Sequence, residues 1–309
     1  MTTEPTDAAP PGPGGVRVAT FNLLSGRDVR FGARFDLDAA ASAIDALDAD
    51  VVAVQEVDRE LDRSGRVHQV QELAALLDRT GVFAPALLGD PTLRWTRGPG
   101  ADPDPGGPAY GIGVLSRLPV TAVAVCPLPG GGPGQARPRR PDARHPPIPY
   151  RDGEPRAALR VTVAAPWGPV AVTTAHLSFV PWRGRRQLAT AAAFACGGAA
   201  RAAVLLGDLN LPPNLVGRTL GRRGWRTGPT GPTFPSWRPA LQLDHLLVRG
   251  DADLDDLHVG PPGPSDHLPL VGTVRPRTPG ARAPAPRAGT DREADRERAQ
   301  PRRTPGPTR

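Results

Sequence analysis

Apolar positions along the chain fall into two rhythms. "VRVATFNLL" (16–24), "DVVAVQEV" (50–57), "YGIGVLS" (110–116), "VTAVAV" (120–125), "AALRVTVAA" (157–165), "PVAVTTAHL" (169–177), "AAVLLGD" (202–208), "LDHLLVRG" (243–250) and "LPLVGTV" (268–274) are short β-branched or aliphatic runs bounded by turn residues, and they predict strands. "DLDAAASAIDALDA" (36–49), "VHQVQELAALLDR" (67–79) and "RGRRQLATAAAFA" (183–195) carry apolar residues at helical spacing and predict helices. The 157–165 and 169–177 runs flank the turn "PWG" and read as a hairpin, and those at 110–116 and 120–125 are split by a Pro-containing turn. Strands mixed with amphipathic helices and sequential hairpins predict a layered α/β fold with a mixed sheet rather than an all-parallel one.

Several predicted strands end alike. Asn22 closes "VATFN", Glu56 "VVAVQE", His176 "VAVTTAH", and Asp208 with Asn210 "VLLGDLN". Asp244 and His245 lie in "LQLDH", and Asp266 and His267 precede the last strand in "GPSDHLPL". A single Asp or Asn at a strand end is a turn former or cap. A succession of Asp, Glu, Asn and His at strand ends is a site, because such ends converge in layered α/β proteins. Side chains alternate along a strand, so Asp208 and Asn210 face one way and Leu209 the core.

The residue types set the chemistry. Carboxylates and an amide oxygen are hard ligands suited to Mg²⁺ or Mn²⁺, and no Cys or paired-His spacing points to zinc. Such an ion keeps waters and accepts phosphate oxygens, so a phosphoester substrate follows. The histidines serve as acid–base groups or donors to a phosphoryl oxygen. No nucleophilic Ser or Cys stands out, which leaves water.

This ordered set resembles the endonuclease/exonuclease/phosphatase (DNase I-like) superfamily over about residues 16–275, on "FN" at 21–22, "VQE" at 54–56, "AHL" at 175–177, "GDLN" at 207–210, "LDH" at 243–245 and "SDH" at 265–267. The resemblance implies a four-layer α/β sandwich of two mixed sheets with helices outside, and a metal-dependent phosphodiesterase or phosphatase. It makes Glu56 the main metal ligand with Asn22 beside it, and Asp266 a residue near the metal. Asp208 would orient or deprotonate the water, Asn210 contact the scissile phosphate, and His267 act on the phosphate or as a general base, with Asp244 supporting it. His176 would stand by the leaving group, and Arg156 is the loosest match, to a phosphate-contacting arginine. Leu23 and Leu24 follow Asn22 where some DNA-repair members carry a second acid, which puts DNA repair in doubt but not phosphoester hydrolysis.

Composition changes this picture at the edges. The basic count of 38 is all arginine. Residues 276–309 hold nine Arg against four Asp or Glu, which leaves +2 of the total +7 for residues 1–275. A nearly neutral body does not demand nucleic acid. Together with the short stretch between Asn210 and Asp244, it favours a small phosphoester or phospholipid headgroup. A DNA nuclease is the alternative, its basic groove drawn from arginines at 137–144, 151 and 183–186. A non-catalytic binding protein and an interaction protein working through its tail are the contrasting classes.

Segments 1–15 and 276–309 are Pro/Gly- or Arg/Pro-rich and are expected to be disordered around a catalytic domain at 16–275, the tail as a solvated one. The stretches 97–108 and 127–155 read as surface loops. Cys126 and Cys196 are expected as reduced thiols. The N-terminus lacks a secretory pattern and no 18-residue apolar run occurs, so a cytoplasmic protein is expected, and with no oligomerisation signal a monomer. His68, His145 and His258 read as solvated or packed residues, and His245, next to Asp244, as structural. Trp95, Trp182 and Trp237 lie in or near loops at the site end, placed either to pack or to stack on a substrate ring.

Overall fold

The computed structural model describes residues 14–32, 34–132, 134–135, 153–221 and 223–277. The expected disorder of both termini falls almost wholly outside the described residues, as do His145 and the arginines at 137–144 and 151. The chain runs β1 (Val16–Asn22), β2 (Arg27–Asp28), β3 (Arg34–Phe35), α1 (Leu37–Asp45), β4 (Val51–Arg59), α2 (Gln69–Leu76), β5 (Thr80–Gly89), β6 (Arg94–Arg97), β7 (Ala109–Ser116), β8 (Val120–Pro127) and β9 (Gly134–Gln135). It continues with β10 (Ala157–Ala165), β11 (Gly168–Ala175), α3 (Pro181–Ala195), β12 (Ala202–Asp208), α4 (Pro213–Leu220), β13 (Asp244–Gly250), β14 (Ala252–Val259) and β15 (Leu270–Pro276).

Two mixed sheets form, one ordered β14-β15-β1-β4-β7-β5-β6-β9 and the other β13-β12-β11-β10-β8, with β2 and β3 as a small ribbon. The alternation of apolar residues explains the layers. Val16 and Val18 of β1, Leu159 and Val161 of β10, Val204 and Leu206 of β12, and Leu246 and Val248 of β13 meet between the sheets. The intervening positions face outward to helices. Phe21, Val52 and Val54 pack with Ile44 of α1 and Leu73 of α2. Leu205 and Leu247 pack with Leu188 of α3 and Val216 of α4. The result is the expected four-layer α/β/β/α sandwich.

Local signals account for the helices. Asp36 caps α1, its Oδ1 accepting the Ala39 N–H at 2.8 Å. His68 caps α2, and Pro181 occupies the first turn of α3, where a missing N–H costs nothing.

Two departures stand out. The expected 157–165/169–177 hairpin forms, but β7 and β8 do not pair: the chain crosses from one sheet to the other at residues 117–119. β5 carries no strand signal because of Pro85, yet it lies inside the first sheet, with Pro85 beside a register shift where the ladder loses a bond.

Candidate active site

Parity along the strands delivers most of the site. Positions 16, 18 and 20 of β1 lead to Asn22, positions 170, 172 and 174 of β11 to His176, and positions 204 and 206 of β12 to Asp208, all facing the gap between sheets. Asp244 opens β13 on the same face, directly opposite Asp208 in the antiparallel register. His245 takes the other parity and turns to the helix layer, where its Nε2 donates to Leu211 O at 2.8 Å. Its expected structural role fits that position.

Glu56 breaks the parity. Asn22 pairs with Gln55, not Glu56, and Gln55 points inward to Thr20 and Thr174 at 3.0 Å each. A bulge between Gln55 and Val57, with Glu56 at φ +53°, turns the Glu56 carboxylate to the same side. Asn210 also holds a left-handed backbone, φ +50°, which directs its amide back beside Asp208. Two non-glycine residues of the site thus sit in strained backbone, as functional positions often do.

Short contacts bind the set together. Asn22 Nδ2 donates to Glu56 Oε1 at 3.0 Å and Asp208 Oδ2 at 3.1 Å, while its Oδ1 accepts the Leu24 N–H at 3.0 Å. His267 Nδ1 meets Asp244 Oδ2 at 2.9 Å, and its Nε2 stands 3.6 Å from Asp208 Oδ2. His176 Nε2 lies 3.5 Å from the same oxygen and 3.9 Å from Glu56 Oε1. Arg156 donates to His176 Nδ1 at 2.9 Å and pairs with Glu154 at 3.2 Å. The Asp208 backbone-side oxygen, Oδ1, accepts the Asn210 N–H at 3.0 Å, and Asn210 Nδ2 donates to Leu177 O at 3.0 Å. Asp266 is half-buried beside Ser265, whose Oγ is 3.3 Å away.

Burial and charge act against each other here. Burial, with the charges of Asp244 and Glu56, pushes Asp208 up to about 7 against the pull of His267 and Asn22. Burial alone would lower His267, but Asp244 and Asp208 dominate and raise it to about 10, so it is imidazolium at neutral pH. Burial, and then the Arg156 and His267 charges, hold His176 well below the usual range, so it is neutral.

Glu56, Asp208, Asn210, Asp266, His176, His267 and Arg156 all line one cleft of about 420 Å³. Two further lining residues, and one behind them, carried no strand-end signal. Arg63, in a short 3₁₀ turn after β4, is clamped by Asp58 at 2.7 and 2.8 Å and lies over the Tyr110 ring, 5.4 Å from its centroid. Phe234 tilts against the His267 ring at 4.9 Å. Behind them, buried Thr233 accepts the Asp244 N–H on its Oγ1 at 3.3 Å.

The donor set fits a hard divalent cation. Asp208, Asp244 and His267 cluster within 4.8 Å of one another, and the buried Asp244 Oδ1 has no hydrogen-bond partner; the imidazolium has no lone pair for an ion, so the ligands are the carboxylates. Glu56 adds a carboxylate that is 22% exposed toward the cleft. Such crowded carboxylates repel one another, and a cation among them relieves this.

Two mixed sheets thus lie face to face, with buried acids and histidines gathered at one end. The model described as the Endonuclease/Exonuclease/phosphatase family matches residues 19–267, and the chain belongs to that family, whose members are hydrolases acting on phosphoesters. Among solved structures it is similar to an endonuclease/exonuclease/phosphatase of Beutenbergia cavernae, with 24% identity and TM-score 0.64 over 85% of this chain and 72% of that one. It is also similar to a humanized D. rerio TDP2, with 14% identity and TM-score 0.56 over 84% and 99%. A mannosyl-6-phosphatase of Bacteroides thetaiotaomicron has 13% identity and TM-score 0.55 over 84% and 99%. These identities carry the fold alone. No curated protein matches the chain. No described helix is long and apolar enough to cross a membrane.

Proposed function

We propose that the chain is a Mg²⁺- or Mn²⁺-dependent phosphoesterase that hydrolyses a phosphodiester or phosphomonoester by in-line attack of water. The observation that carries this reading is the convergence on Asp208 Oδ2 of Asn22, His176 and His267, with His267 backed by Asp244. Glu56 and Asp266 would hold the cation, which supplies Lewis-acid stabilisation of a phosphoryl oxygen. Asn22 Nδ2 holds Glu56 and Asp208 side by side, and its Oδ1, which accepts the Leu24 N–H, keeps a second lone pair that can face the cation.

Asp208 takes the proton of the attacking water, and a pKa near 7 suits a general base at neutral pH. His267, kept protonated by Asp244, donates to a non-bridging phosphoryl oxygen as negative charge develops. His176 presents Nε2–H to the leaving-group oxygen, which recovers a proton from solvent water as its bond to phosphorus breaks, and Asn210 flanks the phosphate. Arg156 works through His176 rather than on the phosphate.

The two described arginines of the cleft are both tied to acids, Arg63 to Asp58 and Arg156 to Glu154. That pairing leaves little charge for a long polyanion and favours a small phosphoester or lipid headgroup over duplex DNA. A soluble monomeric enzyme of the cytoplasm accords with this reading.

The test is turnover of an aryl phosphodiester, an aryl monoester, and single- and double-stranded DNA with Mg²⁺, Mn²⁺ or EDTA, repeated with Asp208→Ala. Metal-dependent turnover lost in the variant is the expected result. A folded protein inert on every substrate counts against the reading, and preference for DNA selects the nuclease.

A further inference from the structure

The mouth of the cleft is unusually apolar. Seven large hydrophobic side chains are exposed among the described residues, at 43–69% relative exposure. Five of them lie on the segments whose residues line the cleft. Phe179 lines it directly, Leu93 follows the lining Thr92, Trp182 lies in the first turn of α3, three residues on from Phe179, Trp237 follows Ser236, whose N–H donates to the O of the lining Asp266 at 2.7 Å, and Leu241 is joined to the lining Phe234 by backbone hydrogen bonds of 2.9 and 3.0 Å. They come from two loops and from the loop and first turn that open α3, so no single hairpin or helix explains their exposure. Exposed apolar groups scattered singly need no account, but a ring of them around one opening marks a binding surface.

Charge accompanies the ring. The stretches 179–186 and 234–241 hold Arg183, Arg185, Arg186 and Arg238 and no Asp or Glu. Trp182, Arg183 and Arg186, with Pro129 and Gly130, line a second concavity of about 200 Å³ beside the mouth. Arg183 Nη1 is buried there with no hydrogen-bond acceptor, an orphaned charged donor that an anion would satisfy. Arginines in the first turns of α3 also oppose the helix dipole, with no acid in the first turn to offset them.

We propose that this rim is a docking surface for an anionic lipid bilayer: Leu93, Phe179, Trp182, Trp237 and Leu241 enter the headgroup zone, Arg183 and Arg186 pair with lipid phosphates, and the cleft opens onto the membrane plane. Trp and Phe favour that interfacial depth, and arginines near an acidic leaflet add attraction. Single-stranded nucleic acid is the weaker fit. Leu93 and Leu241 offer no face for a base to stack on, and the arginines cluster beside the mouth rather than tracking through the cleft. The inference rests on the phosphoesterase reading for its substrate: a phosphoester headgroup presented at the bilayer surface.

The experiment is flotation of the full chain with vesicles of phosphatidylcholine, with and without phosphatidylglycerol. It is run on the parent, on Trp182→Ser/Trp237→Ser, on Arg183→Ser/Arg186→Ser and on Asp208→Ala. A labelled single-stranded oligonucleotide is tested in parallel, and turnover of a soluble aryl phosphodiester reports that each rim variant is folded and active. The expected result is binding to the anionic vesicles that falls about ten-fold or more in both rim variants, with soluble turnover intact and Asp208→Ala binding like the parent. The proposal is overturned if the parent ignores vesicles or if rim variants bind them undiminished, which would give any binding to the arginine-rich tail. It is equally overturned if the rim variants lose only the oligonucleotide. Absent soluble turnover in the parent sinks the phosphoesterase reading instead, and the vesicle arm then decides docking by itself.

Discussion

His176 Nδ1 sits 2.9 Å from Nη1 of Arg156. A guanidinium has donors only, so Nδ1 must accept, and the proton of the neutral ring is placed on Nε2, facing Asp208. One hydrogen bond therefore fixes both the charge and the tautomer of the histidine.

Replacing the guanidinium should release that constraint. Arg156→Met is expected to let His176 take up a proton nearer pH 6.5, because both the positive neighbour and the donor are gone. Turnover should fall about 10²-fold. Histidine nitrogen NMR reads the tautomer directly. A ring that stays neutral and Nε2-protonated in an Arg156→Met protein of unchanged activity sinks the positioning role.

Asp244 is expected to matter through His267. Asp244→Asn keeps the shape but takes away the charge that sustains the imidazolium, and its amide can present the wrong hydrogen-bond partner. A loss on the order of 10²–10⁴ in kcat should follow, with the high-pH limb of the rate profile moved down. His267→Ala should cost a similar factor, and the double variant little more, since the two act as one unit. Multiplicative losses in the double variant would separate them.

Metal dependence can be read without turnover. Added Mg²⁺ or Mn²⁺ should raise the melting temperature of the parent, by a free energy of about 2.7 kcal/mol when the ion is at 100 times its Kd. Removing the Glu56 charge with Glu56→Gln should raise the ion concentration needed by at least about 10–100-fold, the range that mere supporting residues produce. Equal midpoints for both proteins would take Glu56 out of the ligand set.

Most of the site could be read from the sequence because it obeys a period of two. Asn22, His176, Asp208 and Asp244 each continue the inward positions of a strand whose core residues are plain Val, Leu or Thr. Glu56 has the right residue type at a parity that points it away, and only the bulge at Gln55–Val57 corrects this. Arg63 and Thr233 escaped for a different reason. They lie in a 3₁₀ turn and a loop with no strand or helix period, and side-chain bonds to Asp58 and to the Asp244 N–H, five and eleven residues away, hold them in place. β5 was hidden by Pro85, and α4 by its short length between a Pro-Pro start and a glycine-rich loop.

The helix-side histidine predicts a pH effect on stability. Burial holds His245 below 6.5, outweighing its bond to Leu211 and the charge of Asp244. The unfolded chain therefore binds a proton at a higher pH than the native state does. Stability contributed by the neutral ring is present above pH 6.5 and is lost as pH falls below it, by up to about 1.4 kcal/mol per pH unit. The His245 part is read as the difference between parent and His245→Gln melts from pH 8 to pH 5, because the lowered His176 adds to the decline and the raised Asp208 opposes it; the variant should lose less stability than the parent as pH falls. An identical slope in the variant would assign the decline to other groups.

Gly207 tests how the strand ends are held. It lies at φ +146°, and a Cβ there would stand 2.0 Å from Ala175 O, between the two strands that present His176 and Asp208. Gly207→Ala must push β11 and β12 apart at the site, so a loss of about 2–4 kcal/mol in unfolding free energy is expected, along with turnover. Gly217 is the matched control. It lies on the exposed face of α4 with nothing within 4 Å of an added Cβ, so Gly217→Ala should stabilise by about 0.5–1 kcal/mol and leave turnover alone. Denaturant midpoints measure both. The opposite signs follow from backbone geometry, since the chemical change is the same single methyl group, and Gly207→Ala behaving like Gly217→Ala would refute the close approach of the two strands.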